Sequence, residues 1–372
     1  MGHSIAKAFG SLQDPRDKSG RRHSLPALLT IAICAVICGS EGWADIAEFG
    51  QSKAEWFQSF LDLPHGLPSH DTFGRVFARL KPQAFERCFR RWVKGLVKAS
   101  HGRLIAVDGK TLRRSFDDAA GKAAIHMVSA FGSANRLVFG QIATAAKSNE
   151  ITAIPQLLKL LDLQGAIITI DAMGCQKAIA SQIIEQGGHY VLAVKDNQPT
   201  LHAKVKTLLD EAIAQNFRGM EGDRFDQTGK GHGRLEVRTC WCTPEIHHLR
   251  GLKDWKGLAS VVAMDDSRTL GGKTTTERRY FISSLPGDDA QTLAAAIRGH
   301  WGVENPLHWT LDVVFGEDAS RVRIGHGAEN LSRLRRAALN MLQRETTRKI
   351  SIRAKRLRAG WDHNYLLLIL QT

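Results

Sequence analysis

Residues 166–174 read AIITIDAMG. The run Ala166–Ile170 carries no charge and no polar alternation, the pattern of a strand buried on both faces. It stops at an acid, Asp171. Two more short apolar runs end in the same way. Leu104–Val107 runs into Asp108-Gly109-Lys110, and Tyr190–Val194 runs into Lys195-Asp196-Asn197. Ala123–Phe131 and Arg136–Ala143 alternate as strands around the turn Gly132-Ser-Ala-Asn135. Apolar residues at helical spacing mark Asn149–Leu161, and Gln176–Gln186 reads as a second helix closed by Gly187-Gly188. The order strand, strand, strand, helix, strand, helix, strand predicts an α/β fold. Its mixed sheet starts antiparallel and grows by parallel strands.

Outward from that core the pattern changes on both sides. Residues 1–100 read as helical. Ser24 caps, with Pro26 in the first turn, a helix that is apolar all round and closes at Gly39. Ser69 caps a basic stretch with Arg75, Arg79 and Lys81, the outline of a helix-turn-helix, which ordinary helical bundles share. Residues 101–198 hold the first part of the sheet. Residues 199–287 read as a mainly β insertion, with hairpin turns at GKGHG and at Leu270-Gly271-Gly272-Lys273. Residues 288–345 return to helix, where Asn305-Pro306 predicts a kink or a stop and restart. Residues 346–372 form a basic, helical C-terminal extension, read as a DNA- or dimer-contacting arm or as a solvated helix.

The chain has 372 residues, 43% hydrophobic and 24% charged, which predicts a soluble globular protein with a sizeable core. Its formal net charge of +14 favours a polyanionic partner, nucleic acid before anionic membrane. The apolar run Leu25–Cys38 is too short to span a bilayer, so no membrane is expected. The N-terminal residues do not resemble a signal peptide, and six scattered cysteines suit a reducing cytoplasm. Cys240-Trp-Cys242 lacks a second pair and is a poor zinc signature.

The chemistry follows from the strand ends. Reacting groups in open α/β sheets gather past the carboxyl ends of strands. Asp108 and Asp171 at adjacent ends would repel unless a cation lay between them. An Asp in such a place can equally be a plain cap or turn residue. Residues 296–318, AIRGHWGVENPLHWTLDVVFGED, put Glu304, His308 and Asp312 four apart on one helical face. Glu304 is the candidate third carboxylate, with Asp312 as its rival. Hard oxygen ligands point to Mg²⁺, with Mn²⁺ able to substitute. Three such acids can hold two ions roughly 3.5–4 Å apart for phosphodiester chemistry. Lys110, Arg113, Arg114, Lys195, Arg234 and Arg298 are candidates to neutralise DNA phosphates, against a solvated basic face. His232 and Arg234 share a Gly-rich turn that can approach DNA closely. Asn197 and His308 are candidates to orient the ligands. Trp241, Trp255 and Trp309 are core residues or stacking platforms for an unpaired base.

VDGK at 107–110, TIDAMG at 169–174, VKDNQ at 194–198, GHGRLEVR at 231–238, HWGVENPLHWTLDVVFGED at 300–318 and SRLRRAALNML at 332–342 resemble insertion-sequence transposases of the ISAs type. That is a DDE family which includes the H-repeat-associated proteins, and the resemblance runs from about residue 14 to 367. It implies an RNase H-like core with Asp108, Asp171 and Glu304 as the catalytic, metal-binding triad and two Mg²⁺ ions as cofactor. It also implies cleavage and strand transfer at transposon ends, on double-stranded DNA, by a homodimer on the nucleoid. The sequence departs from the broader superfamily signature around the glutamate. Ile297, His300 and Leu311 stand where Tyr, Arg and Lys would be, though His300 can still contact phosphate. The alternatives from the residues alone are a decayed or domesticated metal nuclease and a non-enzymatic DNA-binding regulator.

Overall fold

In the computed structural model, which describes residues 9–96, 104–117, 121–144, 150–231, 234–249 and 251–372, the apolar runs form one nine-stranded sheet. Its strands are β1 (Leu104–Thr111), β2 (His126–Gly132), β3 (Leu137–Ala143), β4 (Ile167–Ile170), β5 (His189–Val194), β6 (Asp223–Gly231), β7 (Arg234–Thr243), β8 (Ser260–Leu270) and β9 (Lys273–Ser283). The spatial order is β3-β2-β1-β4-β5-β9-β8-β7-β6. β1, β4 and β5 run parallel, β2 is antiparallel to β1 and β3 to β2, as the alternation and turn signals require. β4 is central and dry, with Ile168 and Ile170 at 0% and 2% exposure.

The two hairpins extend this same sheet. β9 pairs with β5 only from Val191↔Ser283 to Val194↔Tyr280. The rest of β9 therefore runs on past the carboxyl end of β5, and β8, β7 and β6 follow it. The hairpins thus project from the edge of the sheet that carries Asp171. Gly271 and Gly272, both at positive φ, close the β8–β9 turn in two residues, the geometry that suits strand twist.

The helices, among the described residues, are α1 (Leu25–Cys38), α2 (Trp43–Ser52), α3 (Ala54–Gln58), α4 (His70–Arg79), α5 (Pro82–Leu96), α6 (Glu150–Leu158), α7 (Lys177–Glu185), α8 (Pro199–Ala214), α9 (Ala290–Gly302), α10 (Gly327–Arg344), α11 (Ile352–Trp361) and α12 (His363–Gln371). Ser24 caps α1 by accepting from Ala27 N at 3.3 Å, and the helix is buried nearly throughout. It packs on α10, which ties it to the sheet. The Asn340 amide accepts from Val138 N and donates to Val138 O, filling backbone valences on the edge strand β3. Among the described residues no single helix is long and apolar enough to cross a membrane.

Three expectations change. The connection from α3 to α4 spans residues 59–69, longer than the roughly three- to four-residue turn of a helix-turn-helix. The chain does not stop and restart at Pro306: Val303–Val314 continues α9 as a π-helix. Proline has no N–H, and its ring would clash with the Gly302 carbonyl in an α-helix, a conflict that a wider turn relieves. The basic tail is partly buried structure. Arg356 donates to Val36 O, Ile37 O and Val314 O, satisfying the last carbonyls of α1, and Lys355 donates to Leu342 O and Glu345 O.

Candidate metal centre

β1 does not stop at Val107. It runs to Thr111, so Asp108 lies within the strand, paired with Ser129. Parallel pairing of Val107 with Ile170 brings Asp171, the next residue of β4's chain, beside Asp108. Asp171 also caps a short turn by accepting from Gly174 N at 3.3 Å. The cap reading and the site reading are therefore both true of it.

A third carboxylate joins them, and it is Glu150, which the sequence reading missed. Asp108, Glu150 and Asp171 each offer an oxygen within 4.8 Å of the others. Glu150 opens α6, where an acid normally serves the helix dipole, and nothing local distinguishes it from that role. Burial, reinforced by Glu150, Asp171 and Glu304, pushes Asp108 up to about 7. Burial and Glu150 also raise Asp171, which Lys195 partly offsets. Glu304 is raised by burial, with Arg279 opposing.

Glu304 stands in the first turn of the π-helix, on the wall of a cavity of about 680 Å³ that Asp171, Lys195, Arg279, His300 and Trp301 also line. The four-residue spacing then runs along β1. His308 Nδ1 lies 3.5 Å from Asp108 Oδ2, and Asp312 Oδ1 lies 2.6 Å from Lys110 Nζ. Lys110 also meets Asp318 at 2.6 Å. Asp312 is thus ion-paired one step along the strand, while Glu304 lies outside the close group of Asp108, Glu150 and Asp171 and reaches Asp108 only through its charge.

The same contact corrects the phosphate reading of Lys110, which is buried and already ion-paired. Burial lowers His300 to about 4 and His308 to about 3. His300 Nδ1 lies 3.1 Å from Thr169 Oγ1. Asn197 donates to Ala172 O and so braces the loop that carries Asp171. Arg113, Arg114, Lys195, Arg234 and Arg298 are exposed. Arg113 pairs with Asp318, Arg234 with Glu236, and Arg298 donates to Gln227. His232 lies outside the described residues. Trp255 is core, Trp241 packs against Arg224 and Arg278, and Trp309 is exposed. Trp301 lines the cavity, with Arg279 over its ring.

A family model described as "Transposase DDE domain" matches residues 99–341. The chain belongs to the DDE transposase family. A second model, "DDE_Tnp_1-associated", matches residues 6–93 of this transposase, the N-terminal helical region. It is 41% identical to "H repeat-associated putative transposase YhhI" of Escherichia coli K12 over 94% of this chain and 92% of that one. It is 41% identical to "Putative transposase YncI" of Escherichia coli O157:H7, over 98% and 93%. An "Uncharacterized protein in dhlA 3'region" of Xanthobacter autotrophicus is 43% identical over 75% of this chain and 94% of its own. The sequence resemblance to H-repeat-associated proteins is borne out, as is the mixed α/β fold. The family implies a DNA substrate and typically a divalent metal, and the donor set fits one. It consists of hard oxygens, gathered where they repel one another.

Proposed function

We propose that this transposase binds the ends of its own insertion sequence and catalyses Mg²⁺-dependent strand cleavage and strand transfer. Asp108, Asp171 and Glu304 would hold two Mg²⁺ ions, with Mn²⁺ able to substitute. The observation that carries the reading is the group Asp108, Glu150 and Asp171, gathered where β1 and β4 lie side by side, with burial and mutual repulsion raising Asp108 to about 7, in a chain of net charge +14. Acids are costly to bury together unless a cation joins them.

When bound, the divalent ions supply activation of a water or 3′-hydroxyl and stabilisation of the leaving oxygen. The protein's own residues set the geometry. Asp108 is held by the strand ladder, with His308 Nδ1 3.5 Å from its carboxylate, and Asp171 by its turn and by Asn197. Lys195 and Arg279 place positive charge on the cavity wall, beside the path of a phosphate backbone. The hairpins of β6–β9 extend the same edge with Arg234, Arg238 and Arg268, so DNA lying across them would pass over the acids. A homodimer on paired ends, at the nucleoid in the cytoplasm, completes the proposal.

The test is nicking and strand transfer on DNA carrying the element's ends. Wild type is compared with Asp171→Asn, Glu304→Gln and Asp312→Asn. Asp171→Asn and Glu304→Gln lose both reactions and keep DNA binding, while Asp312→Asn retains chemistry. Should wild type cut nothing in Mg²⁺ or Mn²⁺ while binding the ends, the protein is a regulator or a decayed copy. An active Glu304→Gln beside an inactive Asp312→Asn would transfer the third position to Asp312.

A further inference from the structure

The V-D-G-K stretch contains a glycine that no turn explains. Gly109 lies in mid-strand, paired with Val128, and its φ is not positive. Its reason is space. A Cβ there would lie 2.2 Å from both Glu150 Oε1 and His126 Nε2. These two atoms are 2.7 Å apart, so their hydrogen bond passes directly over the Gly109 Cα. His126 Nδ1 lies 2.9 Å from Thr111 Oγ1. A threonine hydroxyl donating to Nδ1 leaves Nε2 as the N–H, which donates to Glu150.

Side chains alternate along a strand. Asp108 and Lys110 face the π-helix, as their contacts with His308 and Asp312 show. Gly109 and Thr111 face the other way, towards α6. Glu150 thus approaches Asp108 and Asp171 from the layer opposite Glu304. The bare glycine is what lets it cross the strand.

We propose that Glu150 is a fourth carboxylate of the metal centre, positioned by the Thr111–His126 relay and admitted by Gly109. The proposal rests on the divalent-metal reading above. A carboxylate oriented by a histidine, itself fixed by a second hydrogen bond, is the outer support that metal ligands need. A purely structural His126–Glu150 pair would not require its acid within 4.8 Å of two others. Glu150 also adds to the repulsion felt at both aspartates, a cost with a use only when a cation is bound.

The experiment is Mn²⁺ binding to the full-length protein, followed by electron paramagnetic resonance of free Mn²⁺ and by melting with and without Mn²⁺. Glu150→Gln keeps an acceptor for His126 and removes the charge. It lowers Mn²⁺ affinity by about tenfold or more, and the metal-free protein melts no lower than wild type. Gly109→Ala, which evicts Glu150 without touching its chemistry, weakens Mn²⁺ binding as well. Unchanged Mn²⁺ affinity in Glu150→Gln, with a lower metal-free melting temperature, would make Glu150 only a structural partner of His126 and overturn the proposal. Asp108→Asn separates the two levels of failure. If wild type binds Mn²⁺, Asp108→Asn does not and Glu150→Gln does, the fourth ligand falls and the metal centre stands. If wild type binds none, both fall.

Discussion

Asp108 and Lys110 lie two residues apart on the same face of β1, and they belong to opposite kinds of buried charge. Around Lys110 every charge is answered. Lys110 meets Asp312 and Asp318, and Glu317 meets Arg336 at 2.8 Å with both side chains fully buried. Arg333 meets Glu86 and Glu329, and Lys355 meets Glu345, which also accepts from Tyr365 at 2.6 Å. Burial works to raise Glu317 and Glu345, yet their cationic and hydrogen-bonding partners outweigh it. Both are lowered, Glu345 to about 2, while burial keeps Glu86 and Asp312 raised against the pull of Arg333 and Lys110. Around Asp108 the neighbours are Glu150, Asp171 and Glu304, and its carboxyl is raised. The first region is complete as it stands. The second is arranged for a cation that the chain does not itself supply.

That contrast can be broken by substitution, and the largest effect falls on chemistry. Asp171→Asn should cut end cleavage by roughly a thousandfold or more. Removing one of several repelling charges should leave the metal-free melting temperature unchanged or higher. A large loss of stability in that variant would place Asp171 in the matched region instead. Next in size, Arg336→Ala strands Glu317 in the core and should cost about 3–5 kcal/mol in urea unfolding. Arg356→Gln, which uncaps the end of α1, should cost about 1–3 kcal/mol.

The two regions also carry opposite pH slopes. Asp108 is raised, so its contribution to metal-free stability is fully present below the usual carboxylate range and is lost as pH rises through about 7. Glu345 is lowered, so its contribution is present above the ordinary glutamate value and lost as pH falls through about 2. Melting from pH 4 to 8 without metal should show a larger loss in wild type than in Asp108→Asn, where Asp171 and Glu304 stay raised. Mn²⁺ affinity should weaken below pH 7, as the metal competes with that proton. Smallest in stability is Arg234→Ala, on the exposed hairpin. It should change stability by less than about 0.5 kcal/mol and reduce the salt dependence of DNA binding by about one charge.

The local signals in the chain were sound. The Ser24 cap, the buried AIITI strand and the Gly271-Gly272 turn each depend on neighbours in sequence, and each forms where the pattern puts it. Asp108 and Asp171 were also legible, because an acid that follows a buried apolar run is visible without knowing the fold. Glu150 was not, because a first-turn acid on a helix is ordinary until the helix docks across Gly109. Lys110 and Arg356 read as solvent-facing cations in a basic protein. Packing against Asp312 and against the end of α1 turned them inward. Pro306 announced a disturbed helix, and the contacts to Asp108 and Lys110 are made along a π-helix rather than through a break.

By itself, then, the order of residues determined which segments are strands and helices and which two acids follow buried apolar runs, since those depend on short-range periodicity and caps. Tertiary structure alone decided which buried charges find partners. A carboxylate's role depends on the sign of whatever lies within a few ångströms of it, and for Asp108, Glu150, Glu304 and Asp312 those neighbours come from distant parts of the chain.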